Sequence, residues 1–400
     1  MGRPDVSAIV VHHRGVTHLL ECLAALEVSL AGLSGETVLV DNTGGEALGE
    51  VLRRHARVRH VPTGRNAGFA AGCRIGAEAS AGSILLLVND DAALEPDAAP
   101  RLAAALTGAD ADVAAVAGRL TDVTGEKNDF FDGFLTFDGH AFASRVGASL
   151  RSLGAMSPGE ERLFACGGLM AVRRDEFLAS GAFDDDYFAY LEDVDFGWRQ
   201  WLSGRRIIAE PRATARHRSG ATGAALGIYA RGFLFEKNAF ATAFKNFDAE
   251  YFREFMPAVL AAFLFRVAEM IDTRNPGAAE LRRDPYAGPP PSASWVRKLL
   301  GIAEPAARSV TLEDPLTAAH LRALLWIHRN HERLAAKRRA VQALRRRSDA
   351  EIFAKFPLRL VPTYPGDDRL QSAFFAELLP RAPALVRTTL DEIFAGGAPA

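Results

Sequence analysis

The sequence predicts an α/β chain: a doubly wound, mostly parallel sheet over residues 1–226, followed by a mainly helical region over 227–400. Two observations carry the first part. Short β-branched runs alternate with longer helical-period segments as far as Gly118, and the residues that end each run are unusually polar. A third carries the second part: beyond Gly227 strand signals fade and helical spacing dominates.

The predicted strands are Ser7 to Val11, Thr37 to Val40, Val58 to Val61, Ile84 to Val88 and Val113 to Ala117. Between them Val16 to Leu30, Glu46 to His55, Ala70 to Ala79 and Pro96 to Leu106 repeat leucine and alanine at three- and four-residue steps, as crossover helices do. The Gly- and Phe-rich stretch from Thr121 to Ser157 reads as loops over a site. Order resumes with Leu163 to Val172, a strand at Ala213 to Ala215, and a helix opening near Glu192 and ending by Gly204. Prolines at Pro285 and Pro289-Pro290-Pro291 punctuate the helical region, and no internal repeat is evident.

Composition narrows the function. A formal charge of -2 gives no general reason to expect nucleic acid. Cys22, Cys73 and Cys166 are odd in number and lack CxxC spacing, which argues against a disulfide framework or thiolate zinc and fits a reducing, cytoplasmic setting. The run Ser7 to Val11 meets His12-His13-Arg14 at once and reads as a buried strand, not a signal peptide. The apolar stretch Phe255 to Phe265 is interrupted by Pro257 and falls short of the ~20 residues a spanning helix needs.

In an open sheet ligands bind beyond the carboxyl ends of the strands, so the residues there are the candidates. Asn89-Asp90-Asp91 follows the most apolar strand, where its carboxylates suit a hard divalent cation, although taken alone the segment more often reads as a solvated Asx turn before a helix. Asp41-Asn42 can face a ribose or base edge, or cap a helix. Arg65-Asn66-Ala67-Gly68-Phe69-Ala70-Ala71-Gly72 sets a cation and an amide at a loop-to-helix junction that suits a diphosphate, or a helix packed closely on the sheet. The segment from Phe183 to Arg199 interleaves carboxylates with aromatic rings, and a carboxylate there can act as general base. His217 gains weight only beside Asp91, as a second ligand for Mn²⁺ or Mg²⁺.

In this order the pieces resemble glycosyltransferase family 2, of the GT-A fold, and within it the rhamnosyltransferase-like bacterial enzymes. The matching residues are Val10-Val11-His12, Val40-Asp41-Asn42, Asn66 to Gly72, Asn89-Asp90-Asp91, Cys166-Gly167-Gly168-Leu169-Met170, Tyr190 to Asp195 with Trp198-Arg199, and His217, over roughly residues 5 to 220. The resemblance implies donor contacts from His12, Asp41, Asn42, Arg65, Asn66, Gly68, Asn89 and Asp90, and metal ligation by Asp91 and His217. It implies acceptor contacts from Gly167, Gly168, Tyr190 and Trp198, with Asp193 as general base and Glu192 orienting the base or the acceptor. Asn89 stands where many relatives have Asp, and His12-His13 where Tyr-Asn is common.

The implied reaction is an inverting transfer from a nucleotide-diphosphate sugar to a hydroxyl of a glycan or lipid-linked acceptor. Deoxythymidine-diphosphate-rhamnose is the first donor expected and a uridine-diphosphate hexose the second. A nucleotidyltransferase and a non-catalytic sugar-nucleotide-binding scaffold are the alternatives. In the helical region the rings of Tyr229, Phe233, Phe235, Phe240, Phe244, Phe247, Tyr251, Phe252 and Phe255 are expected to pack on the catalytic domain. The basic residues Arg329, Arg333, Lys337, Arg338, Arg339, Arg345, Arg346 and Arg347 read as solvated surface or as a peripheral contact with anionic membrane. An oligomer is compatible with all of this.

Overall fold

The computed structural model describes residues 5–45, 48–153, 156–218, 221–275, 312–379 and 385–394. The prolines at 285 and 289–291 lie outside them.

Four strands, β1 (Val6–His12), β2 (Gly35–Asp41), β3 (Arg59–Pro62) and β4 (Ile84–Asn89), pair in parallel in the order β3-β2-β1-β4. The crossovers are α1 (Val16–Ser29), α2 (Gly49–Arg54) and α3 (Phe69–Ala79). The sheet then continues through strands that are not sequential: β10 (Leu169–Arg173) runs antiparallel between β4 and β6 (Val113–Thr121), β11 (Arg206–His217) runs parallel to β6, and β5 (Ala92–Leu94) closes the edge antiparallel to β11. The expected α/β class and strand positions are observed; the first four strands shift by at most two residues, whereas the strand expected at 113–117 runs on to Thr121 and the one expected at 213–215 spans Arg206–His217. Within the ordered segment expected from Leu163 to Val172, the strand begins at Leu169.

The alternation of strand side chains builds two cores. Ala8 and Val10 of β1, with Leu86 and Val88 of β4, face α1 and α4 (Ala98–Thr107) through Leu19, Leu23, Leu26 and Leu102. Ile9 and Val11, with Leu85 and Leu87, face the other way, onto α3. The latter core runs without a break into α6 (Glu192–Leu202), α7 (Ala221–Asn246) and α8 (Ala249–Arg274), where Phe247 and Phe255 are completely buried. Of the rings expected to pack on the catalytic part, Phe235, Phe240, Phe244, Phe247, Tyr251, Phe252 and Phe255 join this core, whereas Tyr229 is exposed. Position 226/227 lies inside α7, where Gly227 (φ 72°) kinks the helix.

The stretch 121–157 carries short strands as well as loops: β7 (Asn128–Phe130) pairs with β6, and β8 (Gly133–Leu135) pairs with β9 (Ala141–Ala143). The helical region continues as α9 (Pro315–Arg329), α10 (His331–Ala343) and α11 (Asp349–Lys355).

Several cations of the 329–347 stretch, expected at the surface, turn inward instead. Arg338 donates to the carbonyls of Phe244 and Phe247 at 2.6 Å, Arg345 donates to that of Asn246, and Arg347 donates to those of Gly204 and Arg205. Lys337 and Arg333 pair with Asp186. The last turn of a helix leaves carbonyls without partners, and here arginines satisfy those at the ends of α7 and α6. No helix among the described residues is long and apolar enough to cross a membrane.

Candidate active site

The strand ends of β1, β2 and β4 form one lip. His12, completely buried, holds Asp90 with Nδ1 and Oδ2 2.6 Å apart. Burial pushes the Asp90 carboxyl up, and the His12 contact only partly offsets this. Asn42 is also buried: its amide donates to the Gly68 carbonyl at 2.9 Å and accepts from Thr63 at 3.0 Å. Both residues were expected to touch the donor. With no exposed face, they instead fix Asp90 and the 63–68 loop.

Asp41 remains partly exposed, accepting from the Thr43 N–H at 2.9 Å and pairing with His60 at 3.0 Å. Burial works against its carboxylate, but those bonds outweigh it and hold the group below the usual range. Arg65 is exposed at the lip, and Asn66 accepts the Gly68 N–H at 3.0 Å. Gly68 has φ 87°, and a Cβ there would lie 2.5 Å from the Phe188 carbonyl oxygen, so only glycine fits.

At the end of β4, Asp91 Oδ1 lies 3.0 Å from His217 Nε2, and Asn89 Nδ2 lies 3.1 Å from the same nitrogen. On the other side of the ring Nδ1 lies 2.6 Å from Asp129 Oδ2. Burial opposes charge on this imidazole, but the bonds to Asp129 and Asp91 outweigh it and lift the group to about 9. Asp129 sits on β7 and was not anticipated; the only signal was its place in a stretch read as loops. Because the ring meets the two carboxylates through opposite nitrogens, the three do not point at one position. No cluster of three His, Cys, Asp or Glu able to hold a metal occurs among the described residues. The pair Asp91 and His217 nevertheless fits a divalent cation that takes its remaining ligands from a diphosphate. The protonated imidazole now supplies the positive charge between the acids, and Asp129 fixes the tautomer that turns Nε2 toward Asp91.

The turn at Gly167-Gly168 joins this lip to the acids of α6. The Asn89 N–H donates to the Gly168 carbonyl at 3.1 Å, and the adjacent Gly167 N–H donates to Asp193 Oδ2 at 2.9 Å. A Cβ on either glycine would come within 2.9 Å of Phe69 or Asn89, so the pair is a spacer that lets the two ends approach. Asp193 is partly exposed; burial raises its pKa, and the N–H groups of Gly167 and Val194 oppose the rise. Glu192 is buried, with one carboxylate oxygen unpartnered, and burial together with Asp193 pushes it well above the usual carboxylate range. Burial thus disfavours charge on both adjacent acids, and on Glu192 the more strongly. Asp195 is wholly buried; burial opposes its charge, but Lys245 and Arg199 outweigh it and hold its pKa low.

Tyr190 stacks on Phe235 with ring centroids 4.6 Å apart and stays partly exposed. Trp198 does not. It is completely buried against Phe247 and Phe353, and its Nε1 donates to Asp349 at 3.0 Å. At i+5 from Asp193 on an amphipathic helix it points into the core, which removes it from the acceptor residues.

Residues 7–177 match the sequence profile described as glycosyl transferase family 2. The likeness to family 2 glycosyltransferases is that of this segment. The matched segment includes the lip from His12 to Asp91 and the Gly167-Gly168 turn, while Glu192, Asp193 and His217 follow it. No curated protein matches the chain. Among solved structures, GalNAc-T7 with UDP, GalNAc and Mn²⁺ overlaps 65% of this chain at 17% identity and a TM-score of 0.49. The chain covers 52% of that protein. A mannosyltransferase, PcManGT from Pyrobaculum calidifontis, in complex with GDP-Man and Mn²⁺, overlaps 81% of this chain and 87% of its own at 18% identity and a TM-score of 0.44. Both are loose overlaps.

Proposed function

We propose that the chain is an inverting, metal-assisted glycosyltransferase, with the family 2 domain binding a nucleotide-diphosphate sugar and Asp193 acting as general base. The observation that carries this reading is the two-glycine turn: Asn89, which touches His217 beside Asp91, donates its N–H to Gly168, and the adjacent Gly167 N–H donates to Asp193, so a short chain of contacts links the Asp91–His217 pair to Asp193.

In this reading Asp41 and the Arg65-Asn66 loop receive the nucleoside and diphosphate. Asp91 and His217 would hold Mn²⁺ or Mg²⁺, which when bound offsets charge on the leaving diphosphate. The acceptor oxygen bonds to the anomeric carbon as the bond from that carbon to the phosphate oxygen breaks. Asp193 takes the hydroxyl proton, and the nucleoside diphosphate departs with the electron pair. Tyr190, stacked on Phe235, offers the acceptor sugar a flat apolar face. The likeness to rhamnosyltransferase-like enzymes makes deoxythymidine-diphosphate-rhamnose the first donor to try, with a glycan or lipid-linked hydroxyl as acceptor.

The test is Asp193→Asn, assayed for nucleoside diphosphate release and sugar transfer with Mn²⁺. The expected result is a kcat loss of about 10²–10⁴-fold with donor affinity little changed. Undiminished transfer by the variant would overturn the assignment.

A further inference from the structure

The segment that delivers the two acids is held in a backbone conformation that side chains disfavour. Phe188 (φ 65°), Tyr190 (φ 70°) and Leu191 (φ 65°) are all left-handed without being glycine, and Glu192 follows directly. Such a segment persists only where its surroundings dictate it.

One side chain does most of the dictating. Asn238, completely buried on α7, places Nδ2 at 3.0, 2.9 and 2.7 Å from the carbonyl oxygens of Tyr187, Ala189 and Tyr190. Three carbonyls within four residues thus converge on one amide nitrogen. One turn of helix further on, Thr242 bonds the Tyr187 hydroxyl at 2.7 Å, and Asn246 donates to Asp195 at 2.9 Å. The polar stripe 238, 242, 246 of α7 therefore grips the segment from 187 to 195. The same segment reaches the donor side: the Phe188 carbonyl accepts the Ala70 N–H at 3.1 Å, at the start of α3, against Gly68.

We propose that Asn238 is a positioning residue of the transfer site, fixing the left-handed turn that sets Tyr190, Glu192 and Asp193 against the donor loop at Gly68–Ala70. This rests on the reading of Asp193 as the base. It also gives the helical region a part in the reaction, since Asn238 lies outside the family-matched residues 7–177.

The test uses the full chain with Asn238→Ser, which keeps one donor. Asn275→Ala serves as control: Asn275 is also buried and amide-bonded, to Met270 and Thr317 at the foot of α8. Hydrogen exchange should accelerate about tenfold or more in peptides spanning 184–195 and 66–72 of N238S, and not in those of N275A. In steady state N238S should lose kcat by about 10–100-fold with donor KM within about threefold, whereas N275A keeps its kcat. If N238S does not fold, Thr242→Val should give the same exchange pattern more weakly. Unchanged exchange in 184–195, or a kcat loss no larger than that of N275A, overturns the proposal. If the wild-type chain transfers no sugar at all, the functional reading falls, and the exchange pattern alone still decides whether Asn238 holds the turn.

Discussion

Asp129 decides which nitrogen of His217 faces Asp91, because a carboxylate 2.6 Å from Nδ1 keeps the proton there once Nε2 gives up its own. Asp129→Ala should weaken Mn²⁺ binding by about 10–100-fold, read from free Mn²⁺ by electron paramagnetic resonance without any turnover. An unchanged dissociation constant would mean that the tautomer is fixed elsewhere. At this scale the sequence is a partial guide. Asp91, His217 and Asp193 stood out because acids and an imidazole at strand or helix ends are chemically conspicuous. His12 and Asn42 look the same in sequence, yet burial turns them into fixtures for Asp90 and the 63–68 loop. Asp129 and Asn238 matter through partners far away in the chain, and neither has a local pattern.

At the scale of elements, α3 shows how close packing outranks intrinsic preference. Gly76 lies in its interior, where alanine would gain up to about 1 kcal/mol of helix propensity. A Cβ there would lie 2.5 Å from Ile9 Cγ2 and 3.0 Å from Val40 Cγ2, inside the sheet face that α3 covers. Overpacking of this kind costs about 1–3 kcal/mol, so Gly76→Ala should lower the urea midpoint. Gly49→Ala, whose Cβ would meet only Arg53 Nη1 at 3.7 Å, should not. A rise in stability for G76A would show that β1 and β2 give way more readily than a packed sheet should. The parallel strands were legible because runs such as Ile84 to Val88 are apolar on both faces. The 121–157 stretch was read only as loops because β7, β8 and β9 are three residues each, too short to show a period. The turn at 188–191 was invisible as well: its left-handed residues are Phe, Tyr and Leu, whose identities predict the opposite. At about 1–2 kcal/mol for each such residue, the turn exists only because α7 and α3 grip it from both sides.

Across the whole molecule, the helical region shares an apolar core with the main sheet and is fastened to the β8–β9 hairpin by a buried ionic cluster. Arg266 of α8 donates to Asp367 at 2.8 Å, to Glu236 of α7 at 3.0 Å, and to Asp138 in the β8–β9 hairpin. His140 of that hairpin lies 3.1 Å from Glu236 and 3.2 Å from Asp138. Burial works against charge on His140, but Asp138 and Glu236 outweigh it and raise its pKa to about 9. Without that proton, three buried carboxylates would face one guanidinium. Since the folded pKa lies above the unfolded value of about 6.5, the stabilisation is complete below pH ~6.5 and is lost as pH rises through about 9. At ~1.4 kcal/mol per pKa unit this amounts to about 3 kcal/mol. The wild-type urea midpoint should therefore fall between pH 6.5 and 9, and His140→Gln, which cannot titrate, should flatten that fall. His217 shifts in the same direction but is present in both chains, so the difference between their slopes belongs to His140. Equal slopes would mean that the cluster holds the same charge across the whole range, with the hairpin and helices joined by packing alone.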